Sequence, residues 1–265
     1  MTSPDALEER AILTAAPAET VRIEPSPRWV RAFAGGQAIA DSKRVLLVFE
    51  PRRLPVYYFP RQDVRMDLLQ PTAYAAAAGE HGPLARWSLE LPGRRIDNVG
   101  WSYRAPDAAH APLADYVAFY WAKLDAWFEE DEEVYVHPRD PYHRVDVLDS
   151  SRHVRVVLDG QTLADTVRPR LLFETGLPTR YYIPRPDVRL ELLEPTSTVT
   201  QCPYKGRAVY WSVRTGDQVH KDLVWSYPFP IPECPRIEKL LAFYNEKLDI
   251  FVDDELQPRP VTQWS

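Results

Sequence analysis

Apolar residues alternate with polar ones over short stretches of the chain, and glycine, proline and aspartate separate these stretches. Such alternation is typical of strands with one buried face. In the second half, Asp159-Gly160 is a turn dipeptide between two such stretches, which predicts a hairpin. The strands predicted for that half cover residues 154–158, 161–164, 170–174, 180–183, 188–193, 208–213 and 222–227.

A different spacing follows in the same half. Ile237, Leu241, Tyr244 and Leu248 are separated by four, three and four residues, which is one apolar face of a helix. Pro235 suits the first turn of that helix. A strand over 248–252 comes next, unless the helix continues through Leu248. The fold class is therefore mainly β with one helix per half (α+β), and the first half repeats the spacing at Leu113, Val117, Tyr120 and Leu124.

The two halves are copies of each other. Trp101-Ser102-Tyr103 recurs 124 positions later as Trp225-Ser226-Tyr227, and Phe119-Tyr120 recurs at the same offset as Phe243-Tyr244. A constant offset means two tandem domains with almost no insertions between them. The predicted organisation is an N-terminal arm (1–27), a first repeat domain (28–138), a linker (139–151), a second repeat domain (152–258) and a C-terminal tail (259–265).

Composition and charge exclude several classes of function. A length of 265 residues suits two small domains, and the net charge of −6 argues against nucleic acid or an anionic membrane as partner. No apolar stretch reaches about 18 residues, and the N-terminus does not resemble a signal peptide. Two cysteines cannot build a disulfide framework, and the scattered histidines show no metal-ligand spacing. We expect a cytoplasmic protein with no metal and no cofactor; its oligomeric state is open.

Several aromatic positions are shared by both copies. Large aromatic side chains bury much surface, so the simplest interpretation is that they form the core. Tryptophan and tyrosine also suit a concave site that stacks flat rings or holds cations. The candidate ligand-binding residues of the second domain are Tyr182, Tyr204, Trp211, Trp225 and Tyr227.

One segment differs between the copies. Cys202-Pro203-Tyr204-Lys205-Gly206 corresponds to Ala78-Gly79-Glu80-His81-Gly82, in which only the glycine is retained. The first copy therefore lacks these cysteine, tyrosine and lysine side chains, which weakens a purely structural role for them. An ammonium near a thiol favours the nucleophilic thiolate, so Cys202, Lys205 and Glu174 are candidate catalytic residues. His220 is a candidate base. The alternatives for Cys202 are lining a ligand pocket or packing, and the alternative for Glu174, whose counterpart is Glu50, is anchoring.

The order of these motifs resembles a known bacterial family. Phe173-Glu174, 181–188, 202–206, Trp225-Ser226-Tyr227-Pro228 and Phe243-Tyr244 together resemble the two-domain form of domain-of-unknown-function family number 427. The resemblance implies β-tent-like domains, similar to methionine sulfoxide reductase B and the drug-binding domain of cereblon. Those relatives hold a structural zinc with four cysteines, so with two cysteines that zinc is not expected here. The family has no settled activity, and a label likening it to nucleotidyltransferases finds no glycine-rich phosphate loop in this sequence.

Three functional hypotheses follow. The first is binding of a small planar or cationic molecule in an aromatic pocket of the second domain, with the first domain carrying a degenerate motif. The second is a hydrolase or group-transfer enzyme that depends on Cys202 and Lys205. The third is a structural or protein-interaction module, which predicts a large exposed apolar patch.

Overall fold

A computed structural model of the protein describes residues 20–51, 53–72 and 81–265. The chain divides into two compact units, with the boundary between Asp140 and Pro141. Both units consist of β-strands and short turns, and the described ranges contain no α-helix. Their helical segments are single 3₁₀ turns, at Arg61–Asp63, Met66–Leu68, Ala111–Leu113, Trp121–Lys123, Arg185–Asp187, Leu190–Leu192 and Pro235–Ile237.

The first unit forms two antiparallel sheets among its described residues. One sheet has the order β1-β4-β5-β9-β8-β7-β6, and the other has the order β11-β10-β2-β3. The strands are β1 (Arg22–Pro25), β2 (Val30–Ala34), β3 (Gln37–Ser42), β4 (Leu46–Phe49), β5 (Val56–Pro60), β6 (Leu69–Pro71), β7 (Leu84–Leu91), β8 (Arg94–Tyr103), β9 (Tyr116–Phe119), β10 (Ala126–Glu129) and β11 (Glu132–Glu133).

The second unit repeats this pattern with shorter sheets. The strand orders are β12-β15-β16, β14-β13-β21-β22 and β17-β18-β19-β20. The strands are β12 (Val145–Asp149), β13 (Val154–Leu158), β14 (Gln161–Thr166), β15 (Arg170–Glu174), β16 (Arg180–Tyr182), β17 (Leu193–Cys202), β18 (Gly206–Thr215), β19 (Gln218–Ser226), β20 (Ala242–Phe243), β21 (Asp249–Val252) and β22 (Glu255–Leu256).

The core of the second unit has two apolar clusters. One contains aliphatic residues such as Val156, Leu163 and Leu248. The other, here called the aromatic cluster, contains Tyr182, Tyr210, Trp225, Tyr227 and Cys234 together with smaller residues. Successive residues of a strand face opposite sides of the sheet, so β18 sends Tyr210 to the aromatic cluster and Trp211 to the aliphatic one.

The predicted helix in each repeat is wrong. In the second unit Ile237 ends a 3₁₀ turn, Lys239 has a left-handed φ of 58°, and β20 then pairs with β19. A lysine in that region ends a right-handed helix. In the first unit Val117 belongs to strand β9, between two 3₁₀ turns. The apolar positions are buried as expected, but by strand and turn rather than by one helix face.

Three further predictions need correction. Half of the predicted strand at 188–193 is the 3₁₀ turn Leu190–Leu192, and the long polar strand β17, which begins at Leu193, was not predicted. The predicted linker contains β12, which pairs with β15, and the predicted arm contains β1, which pairs with β4. Most of that arm lies outside the described residues. Strands β1, β12 and β17 are edge strands without a buried residue, and such strands give a weak apolar signal in the sequence.

Candidate functional site

A buried charged group lies at one end of the second unit. Glu174 is the last residue of β15, and its two carboxylate oxygens have different partners. Lys205 Nζ donates a hydrogen bond to Oε2, and His143 Nε2 lies 2.9 Å from Oε1. The exposed fractions of the three side chains are only 4%, 10% and 5%. Two opposite charges and an imidazole are thus held together away from water.

The hairpin of β17 and β18 places Lys205. Cys202 pairs with Gly206 across the hairpin, so Lys205 lies in the connecting turn. Gly206 has a φ of 101°, and a Cβ there would lie 3.2 Å from the carbonyl oxygen of Phe229. This position therefore requires glycine, because the turn packs directly on the loop that follows β19. Ile231 N donates a hydrogen bond to Lys205 O at 3.2 Å, which fixes the turn on that loop.

Lys205 and Glu174 each stabilise the charged form of the other. Burial by itself lowers the pKa of Lys205, but the neighbouring Cys202 and Glu174 outweigh it, so the net pKa lies above its ordinary value. Burial by itself raises the pKa of Glu174, but Lys205 and His143 lower it below its ordinary value. Both groups therefore remain charged near neutral pH.

The aromatic candidates divide into three groups. Trp225 Nε1 donates a hydrogen bond to the hydroxyl of Tyr182 at 3.2 Å, and both residues are buried with Tyr227 in the aromatic cluster. Burial raises the pKa values of Tyr182 and Tyr227 well above 10. Tyr204 instead stacks on His143, with ring centroids 4.0 Å apart. Trp211 packs on the aliphatic cluster, so the structure does not bring it together with the other candidates.

The chain itself supplies a cation to the aromatic face of Trp225. The guanidinium of Arg180 lies 5.5 Å from that ring, 5.9 Å from Tyr244 and 5.4 Å from Trp264. It also donates hydrogen bonds of 2.6–2.7 Å to both oxygens of Glu246, whose side chain is fully buried. Arg180 is not among the residues predicted from the sequence, although it differs from its counterpart in the first repeat, the apolar Val56.

The candidate base lies elsewhere. His220 Nε2 is 3.0 Å from Asp159 Oδ2, beside the turn that joins β18 to β19. Cys202 lies at the other end of β18, and a strand of this length separates the two ends by roughly 25–30 Å. The suggestion that His220 reaches Cys202 is therefore wrong.

The two thiols have different surroundings. Cys202 and Cys234 are both free, and Cys202 is half-buried whereas Cys234 is buried. Both lie close enough to Lys205 to interact with its charge. Burial raises the pKa of Cys234 to about 11, so at pH 8 roughly one molecule in a thousand carries a Cys234 thiolate.

We therefore expect one fast and one slow thiol when the folded protein reacts with Ellman's reagent at pH 8. The fast thiol is Cys202, because it is the more accessible one. The absorbance trace should lose its fast phase in Cys202→Ser and keep it in Cys234→Ser. Two equal rates in the folded wild type would contradict this assignment.

The first repeat has a different set of side chains at the same positions. Glu50, His81 and His110 correspond, at the offset of 124, to Glu174, Lys205 and Cys234. One possible ligand atom from each of the three lies within 4.8 Å of the others. The spacing of the histidines along the sequence does not indicate this group, because residues far apart in the chain meet here only through the fold. The first repeat thus carries its own set of polar side chains where the second has Glu174, Lys205 and Cys234.

The aromatic framework, by contrast, is common to both repeats. In the first, Trp101 Nε1 donates to the hydroxyl of Tyr58 at 3.1 Å, and the two rings meet edge to face at 89°. The corresponding angle between Tyr182 and Trp225 is 87°. Such equivalence indicates that this pair belongs to the fold of the domain rather than to a function of one copy.

The comparison with known families agrees with the duplication. The model of the family described as Domain of unknown function (DUF427) matches residues 22–130 and again residues 146–254. No curated protein matches the chain. No helix among the residues the structure describes is long and apolar enough to cross a membrane. The two matches cover most of the chain, and the protein therefore belongs to the DUF427 family, of which it carries two tandem domains.

Proposed function

We propose that the protein binds a small molecule at the hairpin end of its second repeat, beside Lys205, Cys202 and Tyr204. The observation that supports this most is the buried chain of Lys205, Glu174 and His143. A buried ion pair is weak evidence for stability, because desolvation offsets most of the attraction. The first repeat has a histidine, His81, at the position of Lys205, and charged groups with shifted pKa values cluster at functional sites.

The surroundings favour a planar ligand with an anionic or carbonyl oxygen over a cationic one. Arg180 already occupies the aromatic face of Trp225. Lys205 has three donors, so it can bind Glu174 and a ligand oxygen together. The stacked rings of Tyr204 and His143 offer a flat surface beside it. Phe229, which is 82% exposed on the adjoining loop, can cover a bound ring.

A second candidate function rests on Cys202. Its half-buried thiol lies close to the Lys205 ammonium, and a cysteine beside a lysine is a candidate nucleophile for a hydrolase or group-transfer enzyme. Glu174 would then hold Lys205 in position rather than act as a base, since both its oxygens are engaged. We propose in addition that both domains have the β-tent-like architecture and that the protein is cytoplasmic.

A thermal-shift screen tests the binding proposal. The library contains planar carboxylates, nucleobases and aromatic amines, and we expect hits among molecules that carry an anionic or carbonyl oxygen. A ligand at a hundredfold excess over its Kd stabilises the folded protein by about 2.7 kcal/mol. Lys205→Met and Tyr204→Ala should abolish the shift that a hit produces.

Lys221→Met is the matched control, because Lys221 is exposed on the neighbouring strand β19. It should leave the shift unchanged. Hits that Lys205→Met and Tyr204→Ala bind as well as the wild type, or hits confined to the amines, would place the site elsewhere.

A further inference from the structure

The first repeat brings two imidazoles to one carboxylate oxygen. His110 Nε2 lies 3.1 Å from Glu50 Oε1, and His81 Nε2 lies 3.8 Å from the same atom. The His110 side chain is fully buried, whereas His81 is 22% exposed, so the group is reachable from one side. The other oxygen of Glu50 accepts a hydrogen bond from Arg53 Nη1 at 2.9 Å. Glu50 thus turns one oxygen toward both histidines.

A single carboxylate orients both rings from behind. Asp107 Oδ1 lies 2.7 Å from His110 Nδ1, and Asp107 Oδ2 lies 3.3 Å from His81 Nδ1. If each Nδ1 donates its proton to Asp107, each Nε2 presents a lone pair toward Glu50. Carboxylates that hold the far nitrogen of a histidine in this way are the usual outer partners of metal-binding imidazoles.

The second repeat shows what the space between these side chains holds when histidines are absent. There Lys205, which replaces His81, directs its ammonium to Glu174, the counterpart of Glu50. Cys234 replaces His110, and both residues directly precede the same kind of 3₁₀ turn. The Lys205 ammonium therefore supplies a cation to the carboxylate of Glu174 at the end of β15. In the first repeat no lysine stands at that position.

We propose that Glu50, His81 and His110 bind a divalent transition-metal ion, with zinc as the first choice. Two imidazole nitrogens and one carboxylate oxygen form a ligand set that suits zinc. Neighbouring ligands of a tetrahedral zinc lie about 3.3 Å apart, which falls between the two observed distances to Glu50 Oε1. Glu50 and Asp107 place two negative charges beside the site, against the one positive charge of Arg53.

Three protein ligands leave at least one coordination position open. In zinc proteins such a position holds water or a substrate oxygen, whereas structural sites are closed by four protein ligands. That position would face the exposed side of His81, whose side chain is 22% exposed. The proposal is independent of ligand binding in the second repeat, because it uses none of the same side chains.

Metal loading of the full-length protein tests the proposal. Protein stripped with EDTA is dialysed against zinc chloride and then against metal-free buffer, and the zinc content is measured by mass spectrometry. We expect one zinc per chain. Cobalt chloride, used as a spectroscopic probe, should give visible d–d bands without the near-ultraviolet absorption of cobalt bound to thiolate.

The variants separate ligands from bystanders. His81→Ala should lose the zinc, and Asp107→Asn, which changes only the outer partner, should bind it about 10–100-fold more weakly. His153→Ala is the control, since His153 makes a comparable contact to Asp165 at 2.8 Å in the second repeat. Circular dichroism of His81→Ala shows whether the fold is retained. Zinc-free wild type, unchanged binding by folded His81→Ala, or a cobalt–thiolate band would overturn the proposal.

Discussion

Replacing Glu174 by glutamine is expected to destabilise the second repeat by about 3–5 kcal/mol, the range observed when one partner of a buried ion pair is removed. Glutamine has nearly the same shape but no charge. Lys205, whose side chain is only 10% exposed, is then left as a buried ammonium without its counter-ion. Urea unfolding followed by tryptophan fluorescence measures the loss.

A second substitution distinguishes loss of charge balance from loss of packing. Lys205→Met in the Glu174→Gln background removes the stranded ammonium and should recover at least half of the lost stability. The four proteins form a double-mutant cycle that gives the coupling between the two side chains. A loss below about 1 kcal/mol in the single variant would mean that the pair is solvated like a surface salt bridge.

The same pair makes stability depend on pH in a defined direction. The folded state has the lower Glu174 pKa. Its contribution is therefore complete above the pKa of an unfolded glutamate, about 4.3, and is lost as the pH falls through the lower folded value. Because Glu174→Gln has no such group, its stability should fall less steeply than that of the wild type on the acid side. Equal slopes would contradict this.

Arg180→Ala is expected to have an effect of similar size, about 3–5 kcal/mol, because it strands the carboxylate of Glu246. Burial by itself raises the pKa of Glu246, but hydrogen bonds from Arg180 and Thr262 lower it below its ordinary value. The substitution removes one of these donors and also the cation that lies against Trp225. Guanidinium unfolding with fluorescence detection measures the loss of stability. The emission of the folded protein reports the loss of the cation, since Trp225 lies next to the substitution.

Arg168→Ala is the matched control. Arg168 donates bidentate hydrogen bonds of 2.8 and 2.9 Å to the carboxylate of Asp187, but its own side chain is 64% exposed. Exposed pairs contribute about 0–1 kcal/mol, so this variant should stay close to the wild type. If both arginine variants lost the same amount, burial could not be the cause of the Arg180 effect.

Repeat comparison predicted the double-domain organisation, and alternation predicted most of the strands. The helix failed because Ile237, Leu241 and Leu248 are all buried, as a helix face would be, yet Lys239 turns the backbone between them. Spacing reports which residues are inside, and here it could not distinguish a helix from a 3₁₀ turn followed by a short strand. Strand β17 was not predicted because most of its residues are polar or exposed.

The site was found in part. The difference between the repeats predicts Cys202 and Lys205, the shared glutamate Glu174 is a candidate beside them, and the structure places all three at one end of the second unit. His143 and Cys234 were missed as members, since neither has a motif around it. Glu50, His81 and His110 were also missed, although they align with Glu174, Lys205 and Cys234 in the same comparison. All three stand at positions that are polar or reactive in both copies, and this is the sequence signal that indicates them.

The glutamate at the end of β4 and β15 has a consequence for how such a protein can change. A carboxylate fixed at a strand end is a permanent counter-ion, and the fold keeps it in both halves. The side chains that face this carboxylate come from a turn and a loop, and both can be substituted without moving the strands. Duplication therefore gives this protein two equivalent positions, and the two side chains opposite the glutamate decide the chemistry of each without a new fold.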